Sequence, residues 1–172
     1  MNSLSIQLKT PVISTIVDFL LSVGIPITWR PINDTTFVPG IYLENGGLIV
    51  DEEKLLYPGD LLHEAGHIAT MHPHERKTLN DISSNACLDA GSEIMAIGWS
   101  CAACVFLNLD IRIVFHADGY KGQSDYLVED FRSGRYIGIN LLQWAGMTYD
   151  YKNAAVFNSP PYPHMIRWLR EG

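Results

Sequence analysis

The stretch from Gly59 to His74, GDLLHEAGHIATMHPH, holds four of the chain's six histidines, at positions 63, 67, 72 and 74. Within it, His63-Glu64-Ala65-Gly66-His67 fits the pattern H-E-x-x-H. Residues four apart share one face of a helix, so both imidazoles can reach a single Zn²⁺ at about 2.0–2.1 Å. Glu64 sits one residue along, where its carboxylate can reach a water on that ion and act as general base. Random order would give such a match in roughly one chain of this composition in a hundred. The context strengthens it: Asp60 stands where a helix N-cap belongs, and Leu61, Leu62, Ile68 and Ala69 supply an apolar face. His72 and His74 do not extend the motif. The longer pattern H-E-x-x-H-x-x-G-x-x-H needs Gly and His where this chain has Thr70 and Pro73. Both histidines are expected as exposed loop residues beyond the helix end.

A catalytic zinc commonly has three protein ligands and one water. Glu93, in Asp89-Ala90-Gly91-Ser92-Glu93, is the expected third, because the intervening chain allows a loop and the first turn of a returning helix. Ala96, Gly98, Ser100 and Ala103 recur along that helix and are expected to let its backbone approach the histidine helix. Asp89 and His116 are the rival third ligands, and Asp89 could alternatively accept a hydrogen bond from a ligand histidine. His116 and Tyr120, flanking a glycine-containing loop, are expected as donors to a developing oxyanion.

These residues need elements to hold them. Thr10-Pro11 and Gly24 bracket a first helix whose polar stripe is Ser14, Thr15, Asp18 and Ser22. Ile25 to Arg30 reads as a short edge strand, and Pro31 to Gly40 as a loop. Asn45-Gly46 marks a hairpin joining Ile41-Tyr42-Leu43 to Leu48-Ile49-Val50. The histidine helix is expected from Asp60 to about Met71, a loop from Glu75 to Asn85, and a third helix from Asp89 or Ser92 to Leu107. Asp110 to His116 fits a strand or a continued helix. Ser124 to Arg132, Tyr136 to Trp144 and Pro163 to Arg170 are expected as helices, with Pro160-Pro161-Tyr162-Pro163 a rigid turn before the last. The fold class is therefore α+β: a mostly helical single domain over residues 1–172, with a small edge sheet or hairpin.

Composition narrows the functions. The 172 residues carry a formal charge of -7, with 47% apolar and 18% charged residues. That is a globular balance, and it excludes a general binder of nucleic acid or anionic membrane, which needs a basic face. The apolar run Ile94 to Leu107 is shorter than the roughly 20 residues a membrane span requires. Asp18 interrupts the N-terminal apolar run, and no small-residue cleavage site follows it. With three cysteines, Cys87, Cys101 and Cys104, an odd number, a reducing compartment is the expectation, hence a cytoplasmic protein. Cys101-Ala-Ala-Cys104 reads as a pair of small core residues rather than a redox or metal motif. Trp29, Trp99, Trp144 and Trp168 read as core or rim packing.

His63-Glu64-x-x-His67 with a downstream Glu93 on a helix resembles the gluzincin zinc peptidases. More narrowly, the order Gly47-Leu48-Ile49-Val50-Asp51, then HEAGH, then Glu93-x-x-Ala96 resembles the ImmA/IrrE family of bacterial metallopeptidases, over roughly residues 40 to 107. It departs from that family in lacking a Met-Pro element after the glutamate helix and a DNA-binding module ahead of the domain. The resemblance implies a zincin-like fold, one Zn²⁺ per chain on His63, His67 and Glu93, and Glu64 as base. It implies a peptide or protein substrate, held as an added strand along a sheet edge near Leu48-Ile49-Val50. A non-peptide amide substrate is the neighbouring reading. From a different class, a structural zinc in a partner-binding domain would need a fourth protein ligand from His72, His74 or His116.

Overall fold

The computed structural model describes residues 11–33, 35–79 and 90–172. Thr10, Cys87 and Asp89, and the part of the expected 75–85 loop from position 80 on, lie outside them.

Helix α1 (Pro11–Ser22) forms where an apolar stripe recurs with helical period. Ile13, Ile16, Val17, Phe19 and Leu20 are buried, while Thr15, Asp18 and Ser22 face outward. The chain then enters β1 (Ile27–Trp29), β2 (Ile41–Glu44) and β3 (Gly47–Val50). Asn45 and Gly46 take φ of 50° and 75°, the pair of left-handed residues that a two-residue hairpin turn requires.

Sheet order is β1-β3-β2, with β1 parallel and β2 antiparallel to β3. This corrects one expectation. Leu48-Ile49-Val50 is the buried centre of the sheet rather than its edge, so its main-chain groups are committed to two neighbours. A peptide cannot be added there.

Helix α2 (Gly59–Thr70) carries the histidine motif. Its N-cap is Pro58, with no side-chain cap; Asp60 lies inside the first turn and is engaged elsewhere, which corrects its expected capping role. Gly59 is obligatory at this start, since a Cβ would fall 1.9 Å from the Ile113 carbonyl oxygen. A short helix α3 (Pro73–Arg76) follows where loop was expected. His72 is its N-cap residue, partly buried, and His74 is exposed within it.

Helix α4 (Ala90–Phe106) is buried on every side from Met95 to Cys104. A helix apolar all round belongs in a protein core or a membrane. Here α2 packs extensively against it, and α6 also contacts it. No helix among the described residues is long and apolar enough to cross a membrane. Cys101 and Cys104 are buried free thiols; burial raises Cys101 well above the usual range and pushes Cys104 up to about 12. Neither has the access or the thiolate character that redox or metal chemistry needs.

Beyond α4, Asp110 to His116 is neither strand nor continued helix. The Asp110 carboxylate accepts from the Arg112 N–H and starts a 3-10 turn, Ile111–Ile113. Helix α5 (Ser124–Arg132) lies where expected, whereas α6 is only Ile139–Trp144, because Gly138 takes a left-handed φ of 84° ahead of it. Helix α7 (Tyr151–Phe157) had no sequence assignment. Asp150 caps it, its side chain accepting from the Asn153 N–H.

The expected helix from Pro163 to Arg170 does not form. That segment spends its backbone groups on the rest of the molecule: Ile166 N–H donates to Met147, Arg170 N–H to Ala69, and Thr148 bridges Met165. Trp168 packs edge-on against Phe19 and Trp99, and its carbonyl accepts from the Trp99 indole at 2.9 Å. Of the four tryptophans, Trp99 is core, Trp29 and Trp168 are half-buried, and Trp144 is exposed beneath Arg170. The architecture is thus α+β, with α2 and α4 packed together at its centre and a three-stranded sheet that meets α2 through β3 and α1 through β1.

Candidate metal centre

His63 and His67 lie one turn apart on the side of α2 that meets the start of α4. His67 is almost fully buried by its packing, and His63 is nearly so. Glu93, in the first turn of α4, reaches both: its Oε1 is 3.3 Å from His63 Nε2 and its Oε2 is 3.3 Å from His67 Nε2. The two Nε2 atoms are 3.2 Å apart. Ligand atoms about 2.0–2.1 Å from a tetrahedral ion stand about 3.3 Å from one another, so the group has the spacing that one ion requires. His63, His67 and Glu93 could hold a metal ion.

The approach of the two helices depends on Gly66. A Cβ there would sit 2.8 Å from the Ala96 carbonyl oxygen and 3.0 Å from its Cα. Ala96 is thus the small residue facing α2. Gly98, expected in the same role, is pressed instead against Ile137 and Leu142.

Each ligand histidine has a hydroxyl at its other ring nitrogen. Tyr120 Oη lies 3.1 Å from His63 Nδ1, and Ser92 Oγ lies 3.4 Å from His67 Nδ1. A histidine bonding a cation through Nε2 carries its proton on Nδ1, so both hydroxyls are placed to accept it. Tyr120 therefore meets the part of the His63 ring turned away from Glu93 and His67. Ser92, expected only as a helix cap, is a site residue that the sequence reading missed; its position beside Glu93 was the available signal.

Burial competes here with nearby charges and hydrogen bonds. It would pull the His63 pKa down, but the Glu93 hydrogen bond and the charges of Glu64, Glu93 and Asp60 outweigh it and the net shift is upward. The His63 and His67 hydrogen bonds hold Glu93 far below the usual carboxylate range. Burial raises Glu64, against the opposing charges of His63 and His67. A buried carboxyl of raised pKa beside the group is placed to take and return a proton. Burial also keeps the Tyr120 phenol neutral, far above its ordinary range.

His116 is not in the ligand group. Its Nε2–H donates to Asp60 Oδ1 at 3.0 Å, and its ring stacks on Tyr57 with centroids 3.7 Å apart. The Tyr57 hydroxyl in turn donates to Asp118. Neither His72 nor His74 approaches the group; their Nδ1 atoms face each other at 2.7 Å. Comparison with family models, with curated proteins and with solved structures finds no match.

Proposed function

We propose that the chain is a zinc-dependent hydrolase of zincin-like fold, and that it cleaves a peptide bond. The observation that carries this reading is the convergence of His63, His67 and Glu93, with the buried carboxyl of Glu64 one residue from the first ligand. Zinc bound there would act as a Lewis acid and lower the pKa of a water. Glu64 takes the water's proton and passes it to the leaving amine. Glu93 is 43% exposed, which leaves the group open on one side for substrate and water.

That openness favours turnover over a closed structural zinc, which requires a fourth protein ligand. The residues weighed for that role, His72, His74 and His116, have other partners. The net negative charge favours a peptide or protein partner over nucleic acid or anionic membrane.

The test is zinc per chain by elemental mass spectrometry on the parent protein, then cleavage of a peptide library by parent and Glu64→Gln. About one zinc in both proteins, with turnover lowered 10²–10⁴-fold in the variant, supports the reading. One zinc in both with no cleavage by either would leave a metal-binding domain; no zinc after zinc is supplied would remove the hydrolase.

A further inference from the structure

We propose that Tyr120 is a positioning residue that fixes the ring orientation and tautomer of His63, so that Nε2 presents its lone pair toward His67 and Glu93. This rests on the metal reading of that group. The contact is direct, with Tyr120 Oη 3.1 Å from His63 Nδ1 and the two rings edge to face at 89°.

The loop that delivers the tyrosine is built for the purpose. Tyr120 and Lys121 take successive left-handed φ values of 52° and 53°, which side chains of that size rarely adopt. Such an outlier persists only where its surroundings over-determine it, and it clusters at functional sites. Here the surroundings are specific. The Ser124 hydroxyl donates to the His116 carbonyl at 2.6 Å and lies 3.3 Å from that of Gly119, pinning both sides of the loop. Phe115 packs edge-on against the Tyr120 ring at 5.0 Å. At Gly119 a Cβ would stand 3.1 Å from the His116 ring, so a side chain there would press that ring aside by a few tenths of an ångström. The same loop touches α2 twice, His116 on Asp60 and Tyr120 on His63, one helical turn apart.

A phenol suits this role for a reason of charge. Asp60, Glu64 and Glu93 already place three carboxyls around His63. A neutral hydroxyl can accept the Nδ1–H without adding a fourth.

Tyr120→Phe tests it, since it keeps the ring packed on Phe115 and removes only the oxygen. Zinc affinity by chelator competition is expected to fall on the order of 10–100-fold. The visible spectrum of the Co²⁺-loaded protein should shift, and the melting temperature of the metal-free protein should hold. In the zinc-loaded protein, imidazole ¹⁵N–¹H spectra should show that the His63 Nδ1–H has lost its hydrogen bond. Unchanged zinc affinity with an unchanged His63 Nδ1–H signal overturns the role of Tyr120 and leaves the metal site standing. Failure of the parent to take up zinc overturns the metal reading and this role with it, so the parent measurement separates the two failures.

Discussion

Gly66 and Ala96 are in backbone contact: a side-chain carbon on Gly66 would meet the Ala96 carbonyl oxygen at 2.8 Å. The pair lies between the residues that must share an ion, since Gly66 adjoins His67 and Ala96 follows Glu93 by less than one turn. Gly66→Ala therefore sets two effects against each other. Alanine gains about 1 kcal/mol of helix propensity, while overpacking costs about 1–3 kcal/mol and meets a backbone group that cannot rotate away. The expected outcome is a net loss of roughly 1 kcal/mol in denaturant unfolding, with weaker zinc uptake because α2 and α4 are forced apart. A stabilised variant with unaltered zinc uptake would contradict this account of the contact.

Arg76 closes the far end of the histidine helix. Its guanidinium donates to the carbonyls of Ile68 (2.9 Å) and Met71 (3.0 Å), and to that of Arg170 (2.9 Å) from the C-terminal segment. The last carbonyls of a helix lack partners of their own and favour a cation. Arg76→Ala is expected to cost about 2 kcal/mol, from several charge-assisted bonds lost at a partly buried site. Arg76→Lys should restore little, because an ammonium cannot match a planar fork aimed at several carbonyls. Equilibrium unfolding of the two variants checks both statements; full recovery in the lysine variant would mean that charge alone matters there.

The parts legible in the sequence were those set by local chemistry. Asn45-Gly46 specified its turn because both positions need positive φ, and α1 followed from its apolar stripe. Glu93 was the expected third member, ahead of Asp89 and His116, because the spacing from His67 allows a loop and the first turn of a returning helix, and it does lie 3.3 Å from both histidines. The illegible parts depend on distant partners. The central position of β3 comes from parallel pairing with β1 across a long connection, and its one local signal is the unbroken apolar run Leu48-Ile49-Val50, which marks burial on both faces without naming the partner strand. Asp60 resembled a cap, yet its carboxylate is taken by His116, 56 residues away. Residues 163–170 had a helical pattern, but Met147 and Ala69 claim their backbone groups and Trp168 is drawn into the core aromatics.

Asp51 gives the stability a dependence on acid. Its carboxylate accepts from the Ile32 N–H at 3.0 Å and the Glu53 N–H at 3.1 Å, with Lys54 nearby. These bonds, that of Ile32 foremost, hold its pKa below the ordinary value against the opposing effect of burial. A depressed folded-state pKa contributes stability above the unfolded value of about 3.9 that is lost as pH falls through the folded value. Asp51→Asn should thus unfold more easily than the parent at pH 7, and the gap should close below about pH 4. A gap that stays constant from pH 7 to pH 3 would show that the charge of Asp51 contributes nothing.

Metal binding itself should appear as stability. An ion that binds only the folded chain at a thousand times its dissociation constant adds about 4 kcal/mol. For a chain of this length each kcal/mol raises the melting temperature by about 2–4 °C, so zinc should raise it by on the order of 10 °C and a chelator should reverse the gain. Removing one ligand ought to abolish the shift. Glu93→Ala is the sharper choice over a histidine variant, because its carboxylate is half-exposed and little packing is lost with it. Differential scanning fluorimetry of parent and variant, each with zinc and with chelator, checks this. If Glu93→Ala keeps the full zinc shift, the third ligand is not Glu93 and the spacing of 3.3 Å to each histidine is a hydrogen-bonding arrangement alone.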